Sequence, residues 1–243
     1  MALDVPPPYA ALQMTKVDLP LADPAHIAAT NDRILDAAER LFAEHGVAGT
    51  SVRMITEQAQ VNVAGVNYHF GTKENLVRAV IARRLSGLEA ARASALDEVE
   101  DRAARENRPP SVVELVESLI GPVFAQALSD ETGWPHFIRF LSRLAWEPGV
   151  EDLAPPEGSM RLFERFDDAL RRAVPALSAQ PGIRLWRLAF MRGATQHALL
   201  MITAQRTGRI PKDVPFAKEA ASIDVETIKR QLIAFIAAGL SAS

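Results

Sequence analysis

The sequence contains no cysteine. This absence excludes disulfide bonds and thiolate metal sites, and it fits a reducing compartment such as the cytoplasm. Long apolar runs are missing too, since none approaches the roughly 20 residues that a membrane-spanning helix needs. The N-terminus lacks a basic segment followed by an apolar block, so we expect no signal peptide. We therefore expect a cytoplasmic protein that does not enter the membrane.

Sequence signatures of catalysis are also missing. There is no Gly-x-Ser-x-Gly elbow, no His-Glu-x-x-His pair and no glycine-rich phosphate loop. The five histidines do not recur at the spacing of metal ligands. We therefore expect a protein that is not an enzyme and that uses no metal and no cofactor.

The composition is otherwise that of an ordinary globular protein. Of 243 residues, 48% are hydrophobic and 23% are charged, which suffices for one large domain or two small ones. The net charge of −3 argues against a broadly basic surface. Residues 30–76 contain four Arg or Lys and six Asp or Glu. Any contact with nucleic acid must therefore come from a few well-placed cations.

Apolar residues recur at intervals of three and four almost throughout, which predicts an all-α fold. The clearest helix covers residues 31–45, where Ile34, Ala38 and Leu41 share one face. Thr30 or Asn31 is expected to cap its start, and the glycine at position 46 to end it. Residues 1–28 contain several prolines and little periodicity, so we expect a mobile arm.

Residues 49–76 predict two short helices joined by a tight turn. Ser51 is suited to cap the first helix, in which Val52, Ile55 and Ala59 share one face. Residues 60–62 form the turn, and residues 63–70 form the second helix. In that helix the valine at position 66 and the phenylalanine at position 70, four residues apart, are expected to face inward.

The outward face of the second helix is unusual for a helix that only packs. It carries small residues, an amide, a phenol and an imidazole, contributed by Ala64, Gly65, Asn67, Tyr68 and His69. Small residues allow close approach in the DNA major groove, and the polar tips reach base edges or phosphates. The alternative is a small amphipathic helical hairpin with no such role.

Three runs in this region resemble the helix-turn-helix signature of TetR-type transcriptional repressors. They are Thr50 to Arg53, Ala59 to Val61, and the run VNYHFGTKENL that ends at Leu76. The family usually has glycine where Gln60 stands, because the turn favours a left-handed backbone there. The resemblance covers about residues 30–82.

The resemblance implies a DNA-binding role for specific residues. Arg53, Tyr68, His69 and Lys73 would mainly hold phosphates, and Ala64, Gly65 and Asn67 would face base edges. Ser51 completes the predicted DNA-binding set. The resemblance also implies a homodimer, with the second helix of each copy in successive major grooves of a near-palindromic operator on double-stranded DNA.

The rest of the chain predicts a larger helical domain. Thr72 is expected to cap a long helix that links the two parts, and residues 89–107 of this helix are expected to be exposed. Gly121–Pro122 is expected to kink a helix rather than end it. We predict a mobile arm at residues 1–28, a DNA-binding domain at 29–82 (the reading head) and an effector-binding and dimerisation domain at 83–243 (the regulatory body).

The last two long helices, residues 183–206 and 223–240, carry more apolar surface than one partner each can bury. Pairing with a second copy of the chain would cover this surface. The alternative is that both helices lie inside a monomer.

Residues 137–144 and the Glu147-Pro148 that follows resemble the regulatory domain of a TetR subgroup that includes fatty-acid-responsive repressors. We expect the kink to open an apolar cavity for a small hydrophobic effector, such as an acyl carboxylate or thioester. The predicted lining is Phe124, Phe137, Phe140, Trp146 and Trp186, with Arg139, Arg143 or Arg192 as anchor.

Two alternatives to the effector prediction stay open. In the first, the aromatic residues fill the core and the arginines are solvated. In the second, the chain is a DNA-architectural or partner-binding helical protein without an effector.

Overall fold

A computed structural model describes residues 24–128, 133–144, 147, 157–208 and 222–242. Within these ranges the regular structure is helical and no strand occurs, which confirms the all-α prediction. The helices are α1 (Pro24–His45), α2 (Val52–Ala59), α3 (Val63–Phe70), α4 (Lys73–Arg105), α5 (Val112–Leu128), α6 (Trp134–Leu144), α7 (Glu157–Ala173), α8 (Pro181–Arg206) and α9 (Val225–Ser241), with a short 3₁₀ helix at Pro175–Ala179.

Helix α1 begins at Pro24 and not at residue 31. The prediction that Thr30 or Asn31 caps its start is therefore wrong, because both residues lie inside the helix. Proline suits a first helical position, where its missing N–H has no intrahelical partner to lose. The end was predicted correctly, since Gly46 follows the helix with a φ of 77°. Of the predicted arm, residues 24–28 are helical, and residues 1–23 lie outside the described residues.

The two short helices of the reading head have the predicted bounds. The hydroxyl of Ser51 accepts a hydrogen bond from the Met54 amide at 3.2 Å and so caps α2. Ile55 and Ala59 are buried on one side of the turn and Val66 on the other, as the spacing predicted. Local side-chain patterns therefore suffice to place α2 and α3.

Helix α4 starts at the predicted cap, where Thr72 accepts from the Asn75 amide at 3.2 Å. The prediction that residues 89–107 are exposed is wrong in part. Leu96, Val99 and Ala103 are buried, and α4 packs against α5 and α7 along this stretch. Their spacing of three and four residues forms a narrow apolar stripe that the many alanines and charges conceal.

Helix α5 opens with a capping box and continues past its proline. The Glu114 carboxylate accepts from the Ser111 amide at 2.9 Å, while the Ser111 hydroxyl accepts from the Glu114 amide at 3.2 Å. Pro122 lies inside the helix, which runs on to Leu128. The prediction that this proline does not end the helix is confirmed.

One continuous hydrophobic core runs from the reading head into the regulatory body. Helix α1 packs against α2, α4 and α6, while α8 packs against α6 and α9, and α9 against α5. The largest fully buried side chains are phenylalanines, at positions 42, 124, 137, 140 and 166. The reading head is therefore attached to the body both through α4 and through the α1–α6 contact.

Candidate nucleic-acid interface

Helix α3 presents one strongly exposed aromatic side chain. Tyr68 is 82% exposed, and its ring meets that of His69 edge-on, with centroids 5.1 Å apart. Val66 is 3% exposed and Phe70 is partly buried, so the opposite face of α3 is held in the core. A phenol this exposed contributes little to packing and is available for a contact outside the protein.

Three predicted base-contacting residues lie on the same helix. Ala64, Gly65 and Asn67 belong to α3, but their side chains lie outside the described part of the structure. Their contact with base edges stays a prediction.

The turn between α2 and α3 has the left-handed geometry that usually calls for glycine. Gln60 has φ 54° and ψ 46° and provides the C-cap of α2. The Arg33 guanidinium on α1 donates to the Ala59 carbonyl at 2.5 Å and to the Gln60 carbonyl at 2.9 Å. These bonds fix the turn against α1. Sequence reasoning missed Arg33, because a contact across 26 or 27 residues leaves no periodic pattern.

Arg53 lies on the exposed side of α2. Its side chain is 84% exposed and donates to the Glu57 carboxylate at 2.8 Å, one turn along the helix. The hydrogen bond and charge of Glu57 raise the pKa of Arg53 above its usual value. An exposed ion pair of this kind contributes little free energy, so breaking it to bind a phosphate costs little. The predicted phosphate contact of Arg53 is therefore compatible with its position and stays a prediction.

Lys73, a predicted phosphate ligand, is engaged inside the reading head. It is half-buried, and its ammonium donates to the Val47 carbonyl at 3.0 Å and to the Thr50 carbonyl at 3.3 Å. These bonds tie the loop between α1 and α2 to the start of α4. These two carbonyls use two of the three N–H donors of the ammonium. The phosphate contact of Lys73 stays a prediction beside this structural role.

The acidic residues of α1 are paired with arginines of α4. The Glu39 side chain is 2% exposed and accepts from Arg84 at 2.8 and 2.9 Å and from Arg83 at 3.2 Å. Asp36 accepts from Arg83 at 2.8 Å. The negative charge of the reading head is thus partly neutralised on the side that faces α4. Helix α3 itself contains no acidic residue.

The predicted effector residues occupy different environments. Phe124, Phe137 and Phe140 are at most 1% exposed, whereas Trp186 is 66% exposed on α8, so Trp186 belongs to the surface and not to the packed interior. Arg139 is half-buried, Arg143 and Arg192 are exposed, and Trp146 lies outside the described residues. Arg143 also donates to the Glu44 carbonyl at 3.1 Å. The described aromatic members of this set are thus divided between the core and the surface, and their common pocket stays a prediction.

A partly buried cation of the regulatory body was missed. The Arg92 guanidinium on α4 donates through Nε to the Leu119 carbonyl on α5 at 2.8 Å. Burial lowers the pKa of Arg92 to about 10, against the opposite influence of Glu89. It was missed because Arg92 lies within the alanine-rich stretch that was expected to be exposed.

The outer face of α8 and α9 is apolar and exposed. The ring centroids of Trp186 and Phe190 lie 5.8 Å apart, and the two side chains are 66% and 64% exposed. Phe235 on α9 is 71% exposed. Ile183 and Leu185 extend this face. A groove of about 270 Å³ lies between the two helices, lined by Arg187, Phe190, Met191, Phe235, Ile236, Ala238, Gly239 and Leu240. We call this surface the α8–α9 face.

Metal-binding clusters and membrane-spanning helices are both absent from the described residues. No three His, Asp or Glu side chains in these ranges lie close enough together to hold a metal ion. No helix in them combines the length and the apolar character needed to cross a membrane.

Two short helices joined by a tight turn, held by a longer helix and attached to a helical body, are the arrangement of a helix-turn-helix protein. Residues 34–80 match the family model for bacterial regulatory proteins of the tetR family. Residues 117–239, half of the chain, match the model for the tetracyclin repressor-like C-terminal domain. The chain belongs to the TetR family, which places it among DNA-binding transcriptional regulators and not among enzymes.

Similar proteins are named as regulators of the same kind. The HTH-type transcriptional repressor Rv3405c of Mycobacterium tuberculosis is 37% identical over 102 residues, which cover 42% of this chain and 47% of that protein. The repressor AcnR of Corynebacterium glutamicum is 45% identical over 53 residues, 21% of this chain and 28% of that protein. The chain thus spans about half the length of these curated relatives or less.

A solved structure shares the fold. The crystal structure of a tetR family transcription regulator from Shewanella sp. PV-4 matches with a TM-score of 0.57 at 16% identity. The match covers 85% of this chain and 95% of that one.

Proposed function

We propose that this protein is a ligand-responsive transcriptional repressor that binds a palindromic operator as a homodimer in the cytoplasm. The observation that carries the proposal is α3, whose inner face is anchored by Val66 while Tyr68 is 82% exposed. Residues 29–82 serve as the reading head and residues 83–243 as the regulatory body, and α4 belongs to both. Two relatives of the reading head are themselves named repressors.

The contacts with DNA divide into two kinds. Tyr68, Arg53 and His69 lie on or beside α3 with exposed or half-exposed polar tips, which suits phosphates and fixes the orientation of the helix. Asn67, in the middle of α3, is the residue suited to read a base, since a carboxamide pairs with adenine through two hydrogen bonds. Affinity then depends on a few contacts that the dimer doubles.

The α8–α9 face supports a homodimer. Its aromatic side chains are more than 60% exposed and lie side by side, and their burial requires a partner. A second copy of the chain presents the same face about a two-fold axis. Such a dimer carries two copies of α3 and matches a two-fold symmetric operator.

The effector we propose is a small hydrophobic compound with an anionic or polar end, such as an acyl carboxylate or thioester. Arg92 is suited to anchor the polar end, because it is partly buried and its one hydrogen bond within the described chain goes to a carbonyl. Arg139, half-buried on α6, is the second candidate. Arg143 and Arg192 are less suited because both are exposed.

The reading head is tested with two substitutions. Tyr68→Ala should weaken binding to operator and to scrambled DNA alike, because a phosphate contact is independent of sequence. Asn67→Ala should instead reduce discrimination at one base pair by about 1–3 kcal/mol. Both effects are measured by gel-shift titration on DNA that the wild-type protein has selected from random duplexes.

The control is Gln58→Ala, which alters an exposed side chain on α2. It should leave both affinities unchanged. If Tyr68→Ala and Asn67→Ala also bind both DNAs like the wild type, the proposed reading helix is wrong.

The effector is tested by titrating the operator complex with acyl compounds of increasing length. Acyl compounds with longer chains should release the operator more strongly. A tenfold loss of operator affinity requires only about 1.4 kcal/mol of difference between the effector's binding to the free protein and to the operator complex. Arg92→Met should abolish the preference for an anionic head group. Operator affinity that no ligand changes would favour a DNA-architectural protein.

A further inference from the structure

The end of α6 meets the end of α1 through three contacts. The Phe140 ring packs on Phe42 with centroids 5.6 Å apart. The Arg143 guanidinium donates to the Glu44 carbonyl at 3.1 Å. A carboxylate oxygen of Glu147, just after α6, accepts from the Ala48 amide at 2.8 Å across 99 residues of sequence. The regulatory body therefore contacts the reading head at a second place besides α4.

The charges at this contact match the backbone groups that they meet. Glu44 lies in the last turn of α1, where carbonyls lack intrahelical partners and the helix end is negative. A guanidinium is the suitable partner there. Ala48 offers an N–H in the loop after the helix, and a carboxylate is a strong acceptor for it.

The loop of residues 46–50 is a junction within the reading head. Its carbonyls at Val47 and Thr50 accept from Lys73 at the start of α4. The Thr50 hydroxyl donates to the Gly46 carbonyl at 2.7 Å within the loop. Directly after the loop, Ser51 caps α2. A displacement of Ala48 therefore reaches both α2 and α4.

The fit between Glu147 and this loop is close. Gly46 has a φ of 77°, and a Cβ added there would lie 2.7 Å from both carboxylate oxygens of Glu147. Glycine is needed for its backbone conformation and for this approach. The position of the carboxylate is thus defined by the loop on one side and by α6 on the other.

We propose that Glu147 and Arg143 form a latch through which the regulatory body sets the orientation of the reading head on DNA. Both are positioning residues, since neither lies on α2 or α3. The inference rests on the proposed function, of which it specifies the regulation. It also gives a role to the Arg143 and Glu147-Pro148 motif that the sequence alone associated with the effector.

The test compares Glu147→Ala, Glu147→Gln and the control Glu157→Ala, which alters an exposed residue on α7. Operator affinity is measured with DNA selected by the wild type, and hydrogen exchange is measured at the Ala48 amide. We expect Glu147→Ala to weaken operator binding about tenfold, equivalent to about 1.4 kcal/mol, and to speed exchange at Ala48. Glu147→Gln should restore most of both, because its amide oxygen still accepts from Ala48.

Melting temperature and dimer mass are measured on each variant, and both should match the wild type. A wild-type protein that selects no DNA overturns the proposed function together with the latch. A wild type that binds its operator while Glu147→Ala binds equally well overturns the latch alone. A loss of affinity that Glu147→Gln does not restore also overturns the hydrogen bond as its cause.

Discussion

Gln60 holds a backbone conformation that glycine adopts at lower cost. Its φ of 54° is left-handed, and side chains other than glycine are strained there by about 1–2 kcal/mol. Gln60→Gly should therefore raise the free energy of unfolding by up to about 1 kcal/mol, once the greater freedom of unfolded glycine is subtracted. Urea titration followed by circular dichroism measures the change.

The matched control is Gln58→Gly, two residues earlier and inside α2. Here glycine should lower the free energy of unfolding by about 1 kcal/mol. Equal and negative effects at both positions would contradict the strain at Gln60.

Glu39 is the buried acid that joins α1 to α4. Its side chain is 2% exposed and binds two arginines. Glu39→Ala should cost about 3 kcal/mol, because it leaves cations without their buried partner. Asp36→Ala breaks a bond to the same Arg83, but Asp36 is 66% exposed, so it should cost less than about 1 kcal/mol. Denaturant midpoints of the two variants measure the difference, and similar losses would show that burial does not decide the contribution.

At the level of whole helices, the start of α5 depends on an ionised acid. Arg108 holds the pKa of Glu114 well below its usual range, and the Ser111 backbone and hydroxyl act in the same direction. A carboxyl whose pKa is lower in the folded state stabilises the protein above its unfolded pKa. That stabilisation is lost as the pH falls toward the folded pKa.

Glu114→Gln should accordingly destabilise the protein by about 1 kcal/mol at pH 7, the usual contribution of such a cap. The gap between wild type and variant should narrow as the pH falls below about 4. Thermal melts from pH 7 to pH 3 measure it. A gap that stays constant over this range would contradict the role of the charge.

Local signals predicted some helix boundaries and missed others. Ser51 and Thr72 were found because a cap and its amide lie three residues apart. The start of α1 was missed because a proline at the first turn resembles a loop residue. The buried stripe of α4 was missed because its burial depends on α5 and α7, which the pattern of α4 alone does not show.

At the level of the whole molecule, the α8–α9 face should hold the dimer together. Phe235 is 71% exposed in the single chain, so Phe235→Glu should not disturb the fold of one copy. In the dimer a second copy would bury this ring, and a charge there should prevent association. The variant should therefore fold but remain monomeric. Light scattering should give the chain mass of 26.5 kDa for the variant and twice that value for the wild type.

The control for this experiment is Phe163→Glu, which alters a 40% exposed phenylalanine on α7. It should leave the dimer intact. A wild type that is monomeric at micromolar concentration, or a Phe235→Glu variant that remains dimeric, would contradict this interface.

The candidate site was predictable only where it is continuous in sequence. The family motif placed α3 and Tyr68 because the whole helix lies in one run of residues. Arg33 and Arg92 were not found, and the contact of Glu147 with the reading head was not foreseen, since each acts on backbone groups 26 to 99 residues away. A lone polar contact over such a distance produces no periodicity.

The packing of Phe42 against Phe140 also affects how the chain is made. The two residues are 98 positions apart, and synthesis proceeds at roughly 5–20 residues per second. The side of α1 that carries Phe42 therefore stays uncovered for roughly 5–20 s of synthesis before α6 has been made. In the later part of that interval the reading head has been synthesised, while the side of α1 that Phe140 covers still lacks its partner. We therefore expect a nascent chain to expose this side of α1 until α6 has been made.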